Sequence, residues 1–247
     1  MNKIEVSILH ESHENPAGMM MFLAKLTQRG HAIKTMADLK VLYNDCCTGK
    51  QKVSNLTKLP HNTIKRFTPI TIAIVGASRR FLAQARTHQV GINFVSASLQ
   101  YSDYSGSHNF VMPYELLAKP DMQDKYMDSC NYAMETYEGM IDDGFSNDTA
   151  GYAAPQGLRN ILIMQANNDA WDHFVRLRAC KRNTEETSYV ATLIWEQLLI
   201  SACGPDLFSY MGPDCAHGKC REGSMSCKKP IGVCLPAEII KERWPCL

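Results

Sequence analysis

The chain has 247 residues, of which 45% are hydrophobic, enough to bury the core of one globular domain. Because 26 Lys and Arg residues nearly balance 25 Asp and Glu residues, no global field draws the chain to nucleic acid or to an anionic membrane. No apolar run is long enough to span a bilayer, and the first residues lack a signal-peptide pattern. We therefore expect a soluble, cytoplasmic protein whose ten cysteines serve as thiols or metal ligands.

The first third of the chain alternates strand and helix patterns. Residues Ile4 to Leu9 form a predicted strand, and Met19 to Thr27 form a predicted apolar helix. A polar connection over residues 48–62 leads to a second strand from Phe67 to Val75, which is largely apolar on both faces. Gly76 is expected to end this central strand.

Polar side chains enter directly after the central strand. Ser78 can cap a helix, and on an ideal helix Arg79 and Arg86 share one face while Gln84 and His88 share another. Guanidinium groups bind phosphate through a planar fork of donors, so this helix is a candidate nucleotide site. A solvated polar helix face is the alternative that the spacing alone favours. The following segment adds neutral hydrogen-bonding groups: Asn93, Ser96, Ser98, Gln100 and Tyr101.

Three further helices are predicted in the second half of the chain. Apolar spacing predicts an amphipathic helix from Asp121 to Asp143 and another helix from Asp169 to Leu177. A third, from Glu185 to Ala202, is apolar almost all round and is expected in the core or between subunits. Because the periodicity then disappears, we divide the chain into a domain of residues 1–204 and a Cys-rich extension of residues 205–247.

The extension contains soft metal ligands among Gly and Lys residues. Four thiolates suit a structural zinc ion or an iron-sulfur cluster, although their spacing is not a pair of Cys-x-x-Cys knuckles. Free thiols or a local disulfide are the alternatives. The candidate ligands are Cys215, Cys220, Cys227 and Cys234.

Two stretches of the chain resemble the flavin-dependent thymidylate synthases. The first, residues 67–101, follows the family's strand, its Ser-Arg helix start, its Gln, its Arg-His-Arg triplet and its serine-containing segment. In one register Arg86 stands for the first arginine of the triplet. In the other register His88 stands for the triplet's histidine, and Gln84 keeps its spacing. Gln100 replaces the arginine of the family's final Arg-Tyr.

The second stretch, residues 157–186, follows in the expected order. Arg159 stands for the arginine of the family's Ala-Arg, and Asn167 for the asparagine of its Asn-Ala-Arg. Arg178 ends a Phe-x-x-Leu-Arg pattern, and Glu186 resembles a later glutamate. Taken alone, Arg178 would be read as an ion-pair partner of Glu185 or Glu186. Two matching stretches in the correct order reverse that preference.

The resemblance implies an α+β fold, with a central and mainly antiparallel sheet flanked by long helices in a single domain. It also implies a homotetramer whose active sites are shared between subunits. The implied reaction is methylation of dUMP to dTMP, with FAD as cofactor, methylenetetrahydrofolate as the folate one-carbon donor and a reduced nicotinamide, NADPH, as reductant.

The resemblance also implies a role for each matching residue. Arg178 would be catalytic, because a preorganised cation stabilises negative charge that develops on the uracil. The implied substrate-binding residues are Gln84, Arg86, Ser96, Ser98, Gln100, Tyr101 and Arg159. The implied cofactor-binding residues are Arg79, Arg86, Thr87, His88, Asn93, Asn167 and Glu186.

Three other functions are compatible with the sequence. The first is a related flavin-dependent modification of dUMP that leaves a hydroxymethyl group. The second is a nucleotide-binding, metal-bearing protein without catalysis. The third is nucleic-acid binding by the basic extension, against which the nearly neutral net charge argues. The basic residues concerned are Lys219, Arg221, Lys228 and Lys229.

Overall fold

A computed structural model describes most of the chain. The described residues are 4–49, 51, 53, 55, 62–202, 204–218, 220–232 and 234–247. Most of the polar connection expected over residues 48–62 lies outside these residues, and so does Lys219 of the basic extension.

A four-stranded antiparallel sheet forms the centre of the described fold. Its strands are β1 (Glu5–Glu11), β2 (Ile70–Ser78), β3 (Ile92–Ser96) and β4 (Arg159–Ala166). Their order in the sheet is β1-β2-β4-β3. The central pair, β2 and β4, runs from Ile70 opposite Ala166 to Ser78 opposite Arg159. The predicted α+β fold with an antiparallel sheet is therefore confirmed, although β3 was not predicted as a strand.

Helices precede, connect and follow these strands. They are α1 (Pro16–Arg29), α2 (Met36–Cys47), α3 (Arg79–Ala85), α4 (Pro120–Asp142), α5 (Asn147–Ala150), α6 (Asn168–Arg178), α7 (Glu185–Ile200), α8 (Gly204–Phe208) and α9 (Pro236–Arg243). Short 3-10 turns cover Gly30–Ala32, Asn62–Phe67, Tyr114–Ala118, Asp214–His217 and Gly223–Met225. The helices predicted as α1, α4, α6 and α7 are found close to their expected bounds, whereas α2 was not predicted. None of the described helices is long and apolar enough to cross a membrane.

Gly76 does not end the central strand, contrary to the prediction. It lies inside β2 with a φ of 81°, where the register with β4 shifts between Val75 and Ala77. A bulge inserts one residue into a strand, and here that residue has a positive φ, which glycine adopts without steric penalty. The strand therefore continues to Ser78.

The helix after Ser78 is shorter than the spacing predicted. α3 ends at Ala85, and the amide of His88 donates to the Ala85 carbonyl in a turn. The Thr87 hydroxyl donates to the carbonyl of Gln84 at 2.8 Å, a local bond that competes with helix continuation. The shared helical faces expected for the arginines and for Gln84 with His88 were therefore wrong, since Arg86 and His88 lie beyond the helix.

The main core lies between one face of the sheet and the pair α6 and α7. Buried side chains of β2 and β4 meet Trp171 and Phe174 of α6, and the Trp171 indole donates to the Ile70 carbonyl at 3.2 Å. The extension contributes to the same core through Phe208, Met211, Ile239 and Trp244, each at most 3% exposed. The change of composition at residue 204 therefore does not separate these side chains from the domain's core.

The opposite face of the sheet is uncovered by the described residues of this chain. Val75, Ile161 and Val95 on this face are 43%, 47% and 68% exposed. Val75 pairs with Ile161, and Val95 pairs with Ile163 on the same face, so the apolar groups are contiguous. We call these four residues the open face. An antiparallel sheet that faces water normally carries polar residues there.

Candidate active site

Arg178, the last residue of α6, lies in a polar cluster beside the end of α3. Its Nε donates to Nε2 of His88 at 2.6 Å, and its Nη2 donates to Oγ1 of Thr87 at 2.7 Å. Its Nη1 donates to Oδ1 of Asn183 at 2.9 Å and, more weakly, to Oε1 of Gln84 at 3.5 Å. We call these five residues the Arg178 cluster. Three predicted site residues, Gln84, Thr87 and His88, therefore surround a fourth, Arg178.

The positive charge in this cluster is not offset by a carboxylate. Among the described residues no Asp or Glu forms an ion pair with Arg178, so the alternative pairing with Glu185 or Glu186 is not found. Burial, Arg178 and His173 together lower the pKa of His88 to about 4. His88 is therefore neutral near pH 7 and accepts at Nε2. The Arg178 guanidinium is half-buried and remains positively charged.

A second polar contact holds the beginning of α3. Glu186, in the first turn of α7, accepts a hydrogen bond from the Ser78 amide at 2.7 Å and a short one from the Ser78 hydroxyl. The Ser78 Oγ also accepts from the amide of Phe81 at 3.1 Å and so caps α3. Burial raises the pKa of the Glu186 carboxyl, while the bonds to Ser78 lower it. We call residues 178–186 the α6–α7 corner. This corner contacts the beginning of α3 through Glu186 and its end through Arg178.

Arg159 begins β4 and lines a cavity. It is 8% exposed, its Nε donates to the Phe110 carbonyl at 3.2 Å, and its Nη1 donates to the Gly76 carbonyl in the bulge at 2.5 Å. The cavity has a volume of about 790 Å³, within the range of small-molecule sites. Its polar lining includes Ser78, Arg80, Tyr126, Arg159 and Glu186. The Arg178 cluster does not line this cavity.

The remaining substrate-binding candidates lie around the end of β3. Arg86 is exposed, and its Nη2 donates to Oγ of Ser96 at 2.5 Å. The Oγ of Ser98 accepts from the amide of Gln100 at 3.1 Å, and Tyr101 is 81% exposed. Arg86 directly precedes Thr87 of the Arg178 cluster, and no residue of this group lines the cavity.

The other cofactor-binding candidates lie at strand and helix ends. Asn167 caps α6, because its Oδ1 accepts from the amide of Ala170 at 2.9 Å. Gly91, with a φ of 76°, approaches it so closely that a Cβ would lie 3.2 Å from the Asn167 amide nitrogen. Asn93 donates to the side chain of Gln165 at 3.4 Å. Burial lowers the pKa of the Arg79 guanidinium.

Three residues of these groups were not predicted from the sequence. Asn183 accepts from Arg178, while Arg80 and Tyr126 line the cavity. Asn183 follows Arg178 across the end of a helix, where no periodicity places one side chain against another. Arg80 follows the cap Ser78 and could have been included as a second cation of that segment.

The cysteines of the extension do not form a metal site in the described structure. No group of three or more His, Cys, Asp or Glu among those residues is placed to hold a metal ion, and the nine described cysteines are free thiols. Two thiols donate instead to nearby loop carbonyls: Cys227 to Lys229 at 3.6 Å and Cys234 to Gly232 at 3.7 Å. The structure therefore does not support the predicted metal at Cys215, Cys220, Cys227 and Cys234.

Comparison with known proteins shows which family the chain belongs to. The family model described as "Thymidylate synthase complementing protein" matches residues 9–201. The chain belongs to this family. The resemblance to flavin-dependent thymidylate synthases is thereby confirmed, and the match ends before the extension.

Individual members of the family agree with this result. A flavin-dependent thymidylate synthase of Geobacter sulfurreducens is 26% identical over 183 residues, which are 73% of this chain and 77% of the relative. Two solved structures share the fold. A UMP/dUMP methylase, PolB, from Streptomyces cacaoi bound with 5-Br dUMP has a TM-score of 0.62 at 14% identity and covers 84% of this chain and 94% of its own. Thymidylate synthase X from Helicobacter pylori with FAD and dUMP has a TM-score of 0.61 at 15% identity, covering 83% and 97%.

Replacing Ser78 by Ala should lower the free energy of unfolding by about 2 kcal/mol, because it removes a helix cap and a donor to the partly buried Glu186. Ser146→Ala is the matched control. Ser146 caps α5 through the Thr149 amide at 3.2 Å but is exposed, so its loss should cost less than about 1 kcal/mol. Urea unfolding at one protein concentration measures both values. Equal losses would contradict the role of the Glu186 contact.

His88 should make the stability depend on pH. Its pKa is about 4 in the folded chain against an ordinary value of 6.5, so between these values the unfolded chain binds a proton that the folded chain does not. The contribution is complete above pH 6.5 and declines as the pH falls toward 4. In His88→Gln this decline should shrink, whereas the exposed His31→Gln should keep it. Unfolding midpoints from pH 7.5 to about 4.5 test this, and identical profiles would contradict it.

Proposed function

We propose that this chain methylates dUMP to dTMP at C5 of the uracil, with FAD, NADPH and methylenetetrahydrofolate. The observation that carries the proposal is the Arg178 cluster, in which a half-buried cation has only neutral protein partners. Family membership supports it, and so does the H. pylori protein of the same fold, which was solved with FAD and dUMP.

Arg178 is proposed to act on the electrons of the uracil. Methylation at C5 requires C5 to become nucleophilic, and this places negative charge on the ring and its carbonyl oxygens. A guanidinium that is already oriented stabilises that charge without reorganisation. His88 supports this role because its neutral ring accepts from Arg178 and adds no second positive charge. Thr87 and Asn183 each accept a further hydrogen bond from the Arg178 guanidinium.

FAD, when bound, supplies the hydride and takes part in the one-carbon transfer. The polar side chains that would hold it fit a nucleotide cofactor in donor and acceptor character. The residues concerned are Arg79, Thr87, His88, Asn93 and Asn167. Glu186 was expected in this group, but both of its carboxylate oxygens are engaged by Ser78. We therefore propose that Glu186 positions α3.

The phosphate of dUMP is proposed to bind to arginines. Arg86 and Arg159 were predicted to bind substrate, and Arg80 and Arg159 both line the cavity. Guanidinium groups pair with phosphate oxygens in a bidentate manner, so two of them suit a dianionic monoester. Gln84, Ser96 and Ser98 are the neutral groups proposed for the rest of the nucleotide, together with Gln100 and Tyr101.

We further propose that the enzyme is a homotetramer with shared active sites. The Arg178 cluster and the pair of Arg86 with Ser96 do not line the cavity beside Arg159. A second subunit would bring further polar residues to such a site. The open face offers a surface for this contact, because its apolar groups are contiguous and Val75, Ile161 and Val95 are exposed. A cytoplasmic location and the absence of nucleic-acid binding stay predictions from composition.

Arg178→Ala should lower kcat for dTMP formation by about 10²- to 10³-fold, the usual effect of removing one group that stabilises transition-state charge. Arg176→Ala on the same helix is the matched control, since its hydrogen bond is to His173 at 3.4 Å. The assay follows reoxidation of anaerobically reduced FAD after dUMP and methylenetetrahydrofolate are added, with the product identified by mass. Unchanged turnover would refute the role of Arg178. A hydroxymethyl product or no FAD binding by the wild type would refute the proposed reaction.

Ile161→Lys should dissociate the homotetramer into smaller species, because it places a charge in the middle of the open face. Val90→Lys is the control, since Val90 is 91% exposed in the turn before β3. Size-exclusion chromatography with light scattering gives the masses. A monomeric wild type, or an Ile161→Lys variant that remains tetrameric, would overturn this assignment.

A further inference from the structure

The extension contacts the α6–α7 corner through Arg243, the last residue of α9. The Nη1 of Arg243 donates to the carbonyl of Ala179 at 3.2 Å and to Oγ of Ser188 at 3.3 Å. The Ser188 hydroxyl itself donates to the Ala179 carbonyl at 3.1 Å. Ala179 directly follows Arg178 and is 1% exposed. A side chain of the extension thus reaches the backbone next to the proposed catalytic cation.

This contact supplies a second hydrogen bond to the Ala179 carbonyl at the end of α6. The last carbonyls of a helix have no partner within the helix, and the negative end of the helix dipole lies there. Ala179 is the residue that terminates α6, and its burial keeps water from its carbonyl oxygen. A guanidinium at this position supplies a hydrogen bond and a favourable charge together. Arg243 is therefore a cap for the helix that ends in Arg178.

Arg243 is itself held firmly. Its neighbour Trp244 is 3% exposed and packs edge-on against Tyr189 of α7, with ring centroids 5.1 Å apart. The Arg243 guanidinium lies 5.9 Å from the centre of the Trp244 ring. A second contact reaches the same corner, since Arg182 donates to the carbonyl of Met225 in the extension. The extension therefore braces the corner at two points, with residues outside the family match of 9–201.

We propose that Arg243 is a positioning residue for Arg178. By capping the end of α6, it fixes the backbone from which the Arg178 side chain reaches His88 and Gln84 at the end of α3. This inference rests on the proposed function, because it assumes that Arg178 acts on the uracil. A displacement of about 1 Å at such a group can lower turnover by about a hundredfold, so a cap in this place affects catalysis without touching the substrate.

The test compares three variants of the 247-residue chain. Arg243→Met removes the cap but keeps an unbranched side chain, and Arg243→Lys keeps the charge. Lys241→Met is the matched control, because Lys241 is an exposed cation on the same helix. Two quantities are measured: the pKa of His88 by NMR without cofactor or substrate, and kcat and KM for dUMP in dTMP formation. Thermal midpoints show that each variant is folded.

Loss of the cap should loosen Arg178 from His88, and this should raise the pKa of His88 above its wild-type value. In Arg243→Met, kcat should fall about tenfold while KM for dUMP changes less than about twofold, since the affected interaction belongs to the transition state. Arg243→Lys should recover most of both quantities, and Lys241→Met should match the wild type.

An unchanged pKa of His88 in Arg243→Met would overturn the proposal, and so would an unchanged kcat. If Arg243→Met does not fold, the same comparison in Arg243→Lys decides, with a smaller change in the same directions expected. A raised pKa of His88 in a protein whose wild type forms no dTMP would leave the cap in place and refute the proposed function instead.

Discussion

The contact between Glu186 and Ser78 is the constraint on which the arrangement of the site depends. α3 has only seven residues, and an isolated helix of that length is not stable in water. Its beginning is held because the Glu186 carboxylate binds the Ser78 amide and hydroxyl, while Ser78 caps the helix. Its end is held by Arg178. One corner between two long helices therefore sets the position of the polar residues that follow the central strand.

The same corner contains an arginine, Arg178, whose hydrogen-bond partners are all neutral. A half-buried guanidinium with neutral acceptors is less favourable for folding than one paired with a carboxylate, because part of its hydration is lost without compensation. The protein tolerates this at Arg178, and it also keeps His88 neutral beside it. The uncompensated charge is available to a ligand on which negative charge develops. Stability is supplied elsewhere, by the core that β2, β4, α6 and α7 form together.

The extension contributes to the core and contacts the helix that carries Arg178. It lies beyond the family match, yet Ile239 and Trp244 are buried in the main core, and Arg243 caps the helix that carries Arg178. Its cysteines were predicted to be metal ligands, but the described thiols are free. The contribution of the extension is therefore to packing and to the termination of α6, and both effects depend on residues that no metal-binding pattern would select.

Local patterns in the sequence determined the central strand, the helices α4, α6 and α7, and the cap at Ser78, because periodicity and capping chemistry act within a few residues. The order and identity of motif residues also determined the family, and they predicted roles for Arg178 and Arg159. Only the tertiary structure decided that Gly76 forms a bulge whose carbonyl accepts from Arg159, and that α3 ends before Arg86. Likewise, the bonds from Ser78 to Glu186 and from Arg178 to His88 join residues about a hundred positions apart, and such contacts are set by how helices pack on the sheet, which no local pattern records.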